Sequence, residues 1–495
     1  MLHIKTSAIP ASALFFMILA PFATIFYASY VYNVDNIGNI YLYVLQLIAD
    51  TVSISLIGSL WITILLDLLQ PEYHKRSFHY SDDWVRKHKP TVDVVVPVAN
   101  EPIDIIRDTL TAAVNLEYPH KTFVFDDGHS FEVENLAKEL KVNYVSRPKE
   151  NKKFAKSGNI NHGLQESKSE YFVVFDADFV PKKNFITRLL PFFENENVSL
   201  VQTPQVYSNT ENFIASGTSQ AQEIFYKYVQ PAKNSYNAAF CVGTNVMYRR
   251  SAVDSIGGIA LRDHSEDIWT TILLHEKGFD TVFLNDKLAI GRAPETITAF
   301  FRQQNRWARG GFTLFFQKNP LFIEGMTIDQ RFQYFFSNIH YFSGFSMLIY
   351  LLLPLLFLLT GEHAMKLTSG SDWLLHYLPF FGIVYFLPWF LLGKLKLSTI
   401  ATSAASFYPY LAAFTSVILK NNFKWVATEA KKVKTSAIMQ QIWPHMLVLF
   451  ISTVSLFVGW FRPIDIISTS VSSFWVLINM YIMSSFIING LNSNA

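Results

Sequence analysis

Long uncharged runs stand at both ends of the chain and frame a middle part with frequent charges. Residues 6–34 contain no Asp, Glu, Lys or Arg, and residues 36–66 contain only Asp50. The later uncharged runs are 341–361, 373–393, 435–461 and 466–491. Because a helix needs about 20 apolar residues to cross the hydrocarbon core of a bilayer, the pattern predicts six transmembrane helices, two before the charged middle and four after it.

A further apolar segment, residues 397–419, is rich in Ser, Thr and Ala and contains Pro409. Lys394 and Lys396 precede it, and five lysines lie within residues 420–434. Because both ends are basic, we expect a helix that lies at the membrane surface instead of crossing. The positive-inside rule then predicts a multi-pass protein of the cell membrane with the charged middle and both termini in the cytoplasm.

In the charged middle, short apolar runs alternate with stretches of helical spacing. The predicted strands are 92–98, 122–128, 142–145 and 171–178, and the predicted helices are 102–116, 131–140 and 156–167. Such alternation is typical of an α/β domain with a mostly parallel sheet. Ligands of these sheets bind beyond the carboxyl ends of the strands.

Composition supports this division of the chain. Hydrophobic residues make up 50% and charged residues 16%, whereas soluble domains carry about a quarter of their residues as charges. Residues 70–335 hold 63 charged side chains, with 4 before them and 13 after them. The distribution excludes a wholly soluble enzyme and a disordered chain, and the single cysteine excludes a disulfide scaffold. A net charge of +2 gives no footprint for nucleic acid.

Two predicted strands end in paired carboxylates. Asp176 and Asp178 flank one alanine, and carboxylates at this spacing can face a divalent cation together. Asp126 and Asp127 precede Gly128, which permits a tight turn. Taken alone, the first motif is weak evidence, because an ordinary polar strand end also fits it, and the second is better explained by a plain β-turn.

Two more polar motifs accompany predicted helices. Glu266 and Asp267 follow Ser265 at the start of an apolar helix, where they fit either a helix cap or a general base. Gln303, Arg306 and Trp307 fall on one face of a helical stretch at 295–318. Contact with lipid headgroups would explain the arginine but not the shared face of glutamine and tryptophan.

In chain order, the motifs are PVANEP (97–102), DDG, AKSGNINHGL (155–164), DAD, FCVGTN (240–245), SED and QQNRW. This set resembles the family-2 processive glycosyltransferases, above all the bacterial cellulose synthases, from about residue 40 to 489. The resemblance implies a GT-A-type α/β domain with a mostly parallel sheet, inserted between transmembrane helices. Its regions would be 1–70 (two transmembrane helices), 71–294 (the GT-A domain), 295–340 (interfacial helices) and 341–495 (the remaining transmembrane helices).

The resemblance also implies a role for each matching side chain. The donor-binding residues would be Asn100, Glu101, Asp126, Asp127, Lys156, Asp176, Gln303 and Arg306. Asp178 would hold Mg²⁺ or Mn²⁺, and Asp267, with Glu266 beside it, would be the catalytic base. The acceptor-binding residues would be Trp307, Cys241, Gly243 and Thr244. An inert buried thiol remains an alternative for Cys241.

The sequence departs from the family at several points. Ala99 stands where the family usually has tyrosine, and the family's TED is SED here. A gating-loop pattern is only approximated within 420–436, where Trp425 and Thr428 are the candidate gate residues. We also expect no C-terminal cyclic-di-GMP-binding domain and no direct control by that nucleotide.

The resemblance implies a processive, inverting enzyme that builds a β-linked glucan from UDP-glucose and exports it through its own helices. Its expected partners are the UDP-sugar, the growing polysaccharide and the lipid bilayer. A hyaluronan-, chitin- or poly-N-acetylglucosamine-type synthase that uses UDP-GlcNAc is the alternative. A non-processive transferase acting on a lipid carrier and a transporter with a regulatory domain fit the motifs less well. The linkage position stays open.

Overall fold

The computed structural model describes residues 9–69, 80–262, 264–366, 370–420, 435–462 and 465–492. The α-helices are α1 Ala11–Val31, α2 Ile40–Leu69, α3 Asp82–His88, α4 Ile103–Val114, α5 Phe131–Leu140, α6 Ala155–Gly163, α7 Phe185–Leu189, α8 Phe213–Ile224, α9 Gln230–Ser235, α10 Arg250–Ser255, α11 Glu266–Glu276, α12 Ile297–Gln317, α13 Ile328–Ile339, α14 Ser343–Thr360, α15 Gly370–Leu392, α16 Leu397–Ala405, α17 Phe407–Ile418, α18 Thr435–Phe461 and α19 Ile466–Asn492. The strands are β1 Val92–Val98, β2 Lys121–Asp126, β3 Asn143–Val145, β4 Tyr171–Val174, β5 Val180–Pro181, β6 Val198–Gln202, β7 Val246–Arg249, β8 Asp280–Phe283 and β9 Ala289–Ile290.

Seven strands of the described chain form one sheet in the order β3-β2-β1-β4-β7-β6-β8. β1 pairs in parallel with both β2 and β4, whereas β7 runs antiparallel to β4 and β6. All seven residues of β1 are buried, as its valine-rich, largely apolar run predicts for a central strand. The predicted mostly parallel sheet is confirmed, with β7 as an antiparallel insertion.

Helices cover both faces of this sheet. One apolar cluster packs β1, β2 and β4 against α4, α5 and α7, and a second packs the other face against α6, α10 and α11. Since β1, β2 and β4 are parallel neighbours, their carboxyl ends open at one edge of the sheet. That edge therefore brings together the residues that follow Val98, Phe125 and Val174.

Among the described residues, six helical segments are long and apolar enough to cross a membrane. They are Ala11–Val31, Ile40–Leu69, Ile328–Thr360, Leu374–Leu392, Ile438–Phe461 and Ile466–Asn492. Two precede the sheet domain and four follow it, as the charge pattern predicts. The third begins earlier than expected, because α13 runs through a short 3₁₀ turn at residues 340–342 into α14.

Residues 397–419 fold into two short helices, α16 and α17, that meet at Ser406. Nine and twelve residues fall short of the roughly 20 that a span needs. α16 packs on α8 so closely that a Cβ on Gly217 would lie 2.4 Å from the Ser398 carbonyl oxygen. This pair of helices therefore connects the sheet domain to the helical part of the protein.

Asp50 lies inside α2 and is fully buried. Its carboxylate accepts hydrogen bonds from the hydroxyls of Tyr27, at 3.0 Å, and Tyr350, at 2.7 Å. The Asp50 side chain is therefore not exposed at the surface of the helices. Instead, Asp50 joins α1, α2 and α14.

Candidate functional site

A cavity of about 2450 Å³ opens at the carboxyl edge of the sheet. Its walls in this region carry the acidic motifs of β4 and α11 together with polar residues of α12. The predicted site residues that line it are Asn100, Glu101, Asp127, Lys156, Asp176, Asp178, Gly243, Glu266, Asp267, Gln303, Arg306 and Trp307. The structure thus gathers motifs that are far apart in the sequence.

Lys156 connects the acidic groups of the cavity. Its ammonium donates hydrogen bonds to Asp176 Oδ1 and, at 2.7 Å, to the Gly243 carbonyl oxygen. Burial opposes the charged form, but the carboxylates of Asp176 and Glu266 outweigh it and raise the pKa of Lys156. A fixed positive charge therefore stands among the cavity's carboxylates, where an anionic ligand could also reach it.

Asp267 stands in the first turn of α11, after Ser265 in the left-handed conformation. Enclosure by protein atoms, and secondly the nearby Glu266 carboxylate, raise the pKa of Asp267 to about 7. A Cβ on Gly243, whose φ is +90°, would lie 3.3 Å from Asp267 Oδ2. Glycine at this position therefore leaves room directly in front of the carboxylate.

Asp176 and Asp178 can both present carboxylate oxygens to the same cavity. No cluster of three or more His, Cys, Asp or Glu side chains that could hold a metal occurs within the described residues. Mg²⁺-type cations commonly take only one or two protein carboxylates and complete their shell with substrate phosphates and water. The two aspartates therefore fit a divalent cation that binds together with a phosphate-bearing ligand.

The two carboxylates of the DDG motif take different positions. Asp127 lines the cavity, whereas Asp126 is fully buried outside its walls. Asp126 accepts hydrogen bonds from the Gly128 and Ser130 amides, at 2.6 and 2.7 Å, and from the Tyr144 hydroxyl, at 3.0 Å. The Asp126 carboxylate therefore organises the turn that follows β2, and its contact with a donor stays a prediction.

Two of the residues predicted to bind the acceptor lie behind the cavity wall, and their contact with an acceptor stays a prediction. Cys241 and Thr244 are fully buried and lie outside the cavity walls, unlike Gly243 between them. The Cys241 sulfur lies 2.9 Å from the Tyr248 hydroxyl, and burial is the main cause that raises the pKa of the thiol to about 12. The Thr244 hydroxyl accepts a hydrogen bond from the Asp176 amide at 2.8 Å. Both side chains therefore support the cavity from behind.

α12 carries Gln303, Arg306 and Trp307 along the cavity. Thr296 caps its first turn by accepting a hydrogen bond from the Ala299 amide at 3.1 Å. Gly310 brings the helix against α11, since a Cβ there would overlap the Ser265 side chain. The contact holds the face with Arg306 and Trp307 opposite the acidic turn of α11.

Sequence reasoning missed Arg147 and His264, which also line the cavity. Arg147 binds both carboxylate oxygens of Asp127. Burial, together with Arg309 and Arg306, lowers the pKa of His264 to about 4. Arg147 could have been found, because it follows β3 at the same sheet edge, but no motif pointed to His264.

Trp425 and Thr428, the candidate gate residues, lie outside the described residues.

The same cavity continues between the membrane-type helices. Tyr350 of α14, Tyr377 and Phe381 of α15 and Asn479 of α19 line it along their length. Leu42, at the beginning of α2, lines the end farthest from the sheet domain, as do residues 363–365 and 467–468. One cavity therefore extends from the carboxylates of the sheet to the opposite ends of the spans.

Residues 171–415 match the family model described as glycosyl transferase family group 2. A UDP-forming cellulose synthase catalytic subunit of Pseudomonas fluorescens is 33% identical over 281 residues, which are 55% of this chain and 38% of that protein. The corresponding subunit of Komagataeibacter sucrofermentans is 30% identical over 291 residues, 57% of this chain and 38% of that protein. The chain thus spans less than two fifths of the length of these relatives.

Among solved structures, a mannosyltransferase of Pyrobaculum calidifontis in complex with GDP-Man and Mn²⁺ has the same fold at 14% identity. Its TM-score is 0.55, and the match covers 76% of this chain and all of that one. The sheet order, the family model and this likeness agree on the architecture. The chain carries a glycosyltransferase family 2 domain of GT-A-like fold, and six candidate membrane helices flank it in the part of the chain that the structure describes.

Proposed function

We propose that the protein is a processive, inverting glycosyltransferase that builds a β-linked glucan from UDP-glucose and moves it through its own helices. The observation that carries the proposal is the single cavity that joins the acidic site to the far ends of the spans. An enzyme that transfers one sugar and releases its product needs no such continuation. The cellulose synthase relatives support the choice of donor and product.

In this proposal, Asp127, Lys156 and Asp176 bind the donor together with Asn100, Glu101, Gln303 and Arg306. Asp178, with Asp176 beside it, would hold Mg²⁺ or Mn²⁺, which when bound supplies positive charge near the donor diphosphate. The cations of Lys156 and Arg306 add to the stabilisation of the leaving UDP. The Mn²⁺ complex of the mannosyltransferase with the same fold supports this assignment.

Asp267 would act as the general base. The acceptor hydroxyl oxygen attacks the anomeric carbon, the bond from that carbon to the diphosphate oxygen breaks, and the hydroxyl proton passes to Asp267. A single displacement inverts the anomeric centre, so an α-linked donor gives a β-linkage. Trp307 would stack on the acceptor sugar, and Gly243 leaves space for the acceptor end beside Asp267.

The proposed organisation follows from these roles. Residues 1–70 and 341–495 would form the membrane channel, 71–294 the cytoplasmic transferase domain, and 295–340 the interfacial helices between them. The basic residues around 394–434 and the N-terminal Lys5 support a cytoplasmic transferase domain, as the positive-inside rule requires. The polymer would then leave on the opposite side of the membrane.

The full chain, purified and reconstituted in lipid, tests the proposal. We expect UDP release with UDP-glucose in the presence of Mg²⁺ or Mn²⁺, a long product, and β-linked glucose on linkage analysis. UDP-GlcNAc is the parallel donor, and a long polymer from it alone would reassign the substrate. Transfer of single sugars would refute processivity, and no UDP release from either donor would refute the enzymatic function.

A further inference from the structure

Arg147 joins three separate segments at the edge of the sheet. It follows β3, and its side chain is 3% exposed. Its guanidinium donates to both carboxylate oxygens of Asp127, at 2.7 and 2.6 Å, to the Lys153 carbonyl oxygen at 2.7 Å and to the Ala155 carbonyl oxygen at 3.0 Å. The end of β2, the end of β3 and the beginning of α6 therefore share one buried cation.

The segment that Arg147 holds has an unusual backbone. Phe154 and Ala155 both have positive φ, +59° and +32°, and Lys156 follows directly. Residues with a Cβ adopt this region only where the surrounding structure enforces it. The two carbonyl groups that accept from Arg147 stand on either side of Phe154. Arg147 is therefore placed to enforce the turn that delivers Lys156 into the cavity.

A glycine confirms how closely this turn packs. A Cβ on Gly158, in the first turns of α6, would lie 2.1 Å from the Lys153 carbonyl oxygen and 2.4 Å from Arg147 Nη1. Both atoms belong to the same hydrogen bond. Any larger residue at position 158 would therefore displace the contact between Arg147 and the turn.

The same geometry gives the Asp127 carboxylate a second role, which is to orient Arg147. Each of its carboxylate oxygens already accepts a hydrogen bond from Arg147, and such paired, planar contacts are strong and directional. Asp127 therefore fixes the guanidinium in the orientation that reaches the two carbonyl groups. In this arrangement its carboxylate acts through Arg147 as well as facing the cavity.

We propose that Arg147 is a positioning residue that sets nucleotide affinity by holding Lys156 and Asp127 in place. The inference rests on the proposed function, because it assumes that a nucleoside diphosphate binds between these side chains. A purely structural brace would lower the stability of the fold when it is weakened, but it would not change binding in the protein that remains folded. The two roles therefore differ in the affinity of the folded variant for UDP.

Arg147→Lys keeps the charge but loses the paired contacts, because an ammonium cannot match the carboxylate with two parallel bonds. Arg249→Lys is the matched control. Arg249 also holds backbone carbonyl groups, those of Val198, Phe193 and Asn195, but it does not line the cavity. We expect both variants to lower the melting temperature.

The deciding measurement is the dissociation constant of UDP, by calorimetry on the full chain in detergent with Mn²⁺. A small displacement of positioned groups can lower a reaction rate by up to about a hundredfold. Because the same groups would bind UDP, we expect Arg147→Lys to weaken UDP binding by about tenfold or more. Arg249→Lys should leave it unchanged. Gly158→Ala keeps the arginine but displaces its contact with the turn, so it should reproduce the loss. Combining it with Arg147→Lys should add little.

Unchanged UDP affinity in folded Arg147→Lys and Gly158→Ala would overturn the inference while leaving the proposed function intact. A wild-type protein that binds no UDP would instead contradict the proposed function, and the inference with it. If Arg147→Lys does not fold, Gly158→Ala decides the question by the same measurement. It should weaken UDP binding if Arg147 positions the site, and unchanged binding would overturn the inference.

Discussion

Asp267 stands in an enclosed position beside a second carboxylate, and this position determines the pH at which it can work. With a pKa raised to about 7 by burial and by Glu266, it is protonated below neutral pH, and a protonated carboxyl cannot accept the acceptor's proton. We expect kcat/KM for UDP release to fall by about tenfold per pH unit below pH 7. A profile from pH 5.5 to 9 measures this fall.

Glu266→Gln provides the matched test, because it removes the neighbouring charge that helps to raise the pKa of Asp267. The acidic limb of the profile should then move to lower pH. An acidic limb that stays in place would contradict the electrostatic coupling. Asp267→Asn should bind UDP but form no polymer, and retained synthesis would remove Asp267 from the base role.

Lys233 is a buried amine whose two acceptors are neutral. It donates to the Gln333 carbonyl oxygen at 2.7 Å and to the Ser337 hydroxyl at 2.8 Å, and burial lowers its pKa to about 7. The unfolded chain binds this proton up to a pH near 10.5. The cost of charging the buried amine therefore lowers the free energy of unfolding by its full amount below pH 7. This cost disappears as the pH rises from 7 to 10.5.

We expect Lys233→Met to raise the melting temperature, and to raise it more at pH 6.5 than at pH 9. The reason is that charging the buried amine costs about 1.4 kcal/mol for each tenfold loss of its proton affinity on folding. Scanning calorimetry or fluorimetry at the two pH values measures the difference. Lys182→Met, at an exposed position, should show no such pH dependence, and an equal change in both variants would refute the explanation.

At the residue scale, most of the predicted site residues within the described chain line the cavity, but the sequence did not predict the direction of each side chain. Asp126 ends β2 and Asp127 begins the turn after it, and only Asp127 lines the cavity. Gly243 likewise lines the cavity, whereas Cys241 and Thr244 beside it are buried behind the wall. A motif shows which residues are close to a site, whereas the path of the backbone decides which of them face it.

At the scale of elements, glycines let α12 approach its neighbours. A Cβ on Gly310 would lie 1.7 Å from Ser265 Oγ, and one on Gly311 would lie 2.5 Å from the Tyr341 ring. These contacts set the distance between the helix with Arg306 and Trp307 and the turn with Asp267. The close packing against Ser265 and Tyr341, and not a special backbone conformation, explains why glycine occurs at positions 310 and 311 of this helix.

We expect Gly310→Ala to reduce UDP release, even though alanine favours an isolated helix by about 1 kcal/mol over glycine. The added methyl group must push α12 away from α11. Ser265→Gly combined with Gly310→Ala should restore activity, since glycine suits the φ of +54° at position 265 and removes the opposing side chain. Full activity in Gly310→Ala alone would contradict this account, with UDP release under saturating donor as the measurement.

Element positions follow closely from the sequence. β1 and α5 have the predicted bounds, because a valine-rich run marks the strand and a Ser130 cap marks the start of the helix. The predicted strand at 171–178 ends earlier, at Val174, because its acidic residues leave the sheet. The antiparallel direction of β7 had no local signal, since strand direction depends on partners distant in sequence.

At the scale of the whole molecule, the cavity between the helices should be a path for the product. Gly382 of α15 lines it, and a Cβ there meets no atom of the described residues within 4 Å. We expect Gly382→Trp to abolish long product while leaving UDP binding intact, because the indole would occupy the path. Product size on a gel or by chromatography, with UDP affinity in parallel, measures the two effects.

Gly58→Trp is the matched control for this prediction. Gly58 of α2 also has open space around its Cβ position in the described structure, but it does not line the cavity. The control should make product of normal length. Normal product from Gly382→Trp would show that the polymer takes another route.

The charge pattern predicted the number of spans and their division around the transferase domain. It could not predict which spans pack together, because apolar helices share similar surfaces. α1 packs on α15, where Phe16 stacks on Phe390 at 4.4 Å, and α2 packs on α14. These contacts join the two ends of the chain beside the cavity.

This packing also has a consequence for the order of synthesis. Asp50 and Tyr350, which share a hydrogen bond, are 300 residues apart in the chain. Translation at about 5–20 residues per second separates their appearance by roughly 15 to 60 seconds. During that time, α1 and α2 have been made but α14 has not, because the transferase domain is translated between them. Of the two hydroxyls that donate to the Asp50 carboxylate, only that of Tyr27 is then present. The cavity between the helices is therefore completed only after the domain that carries the carboxylates.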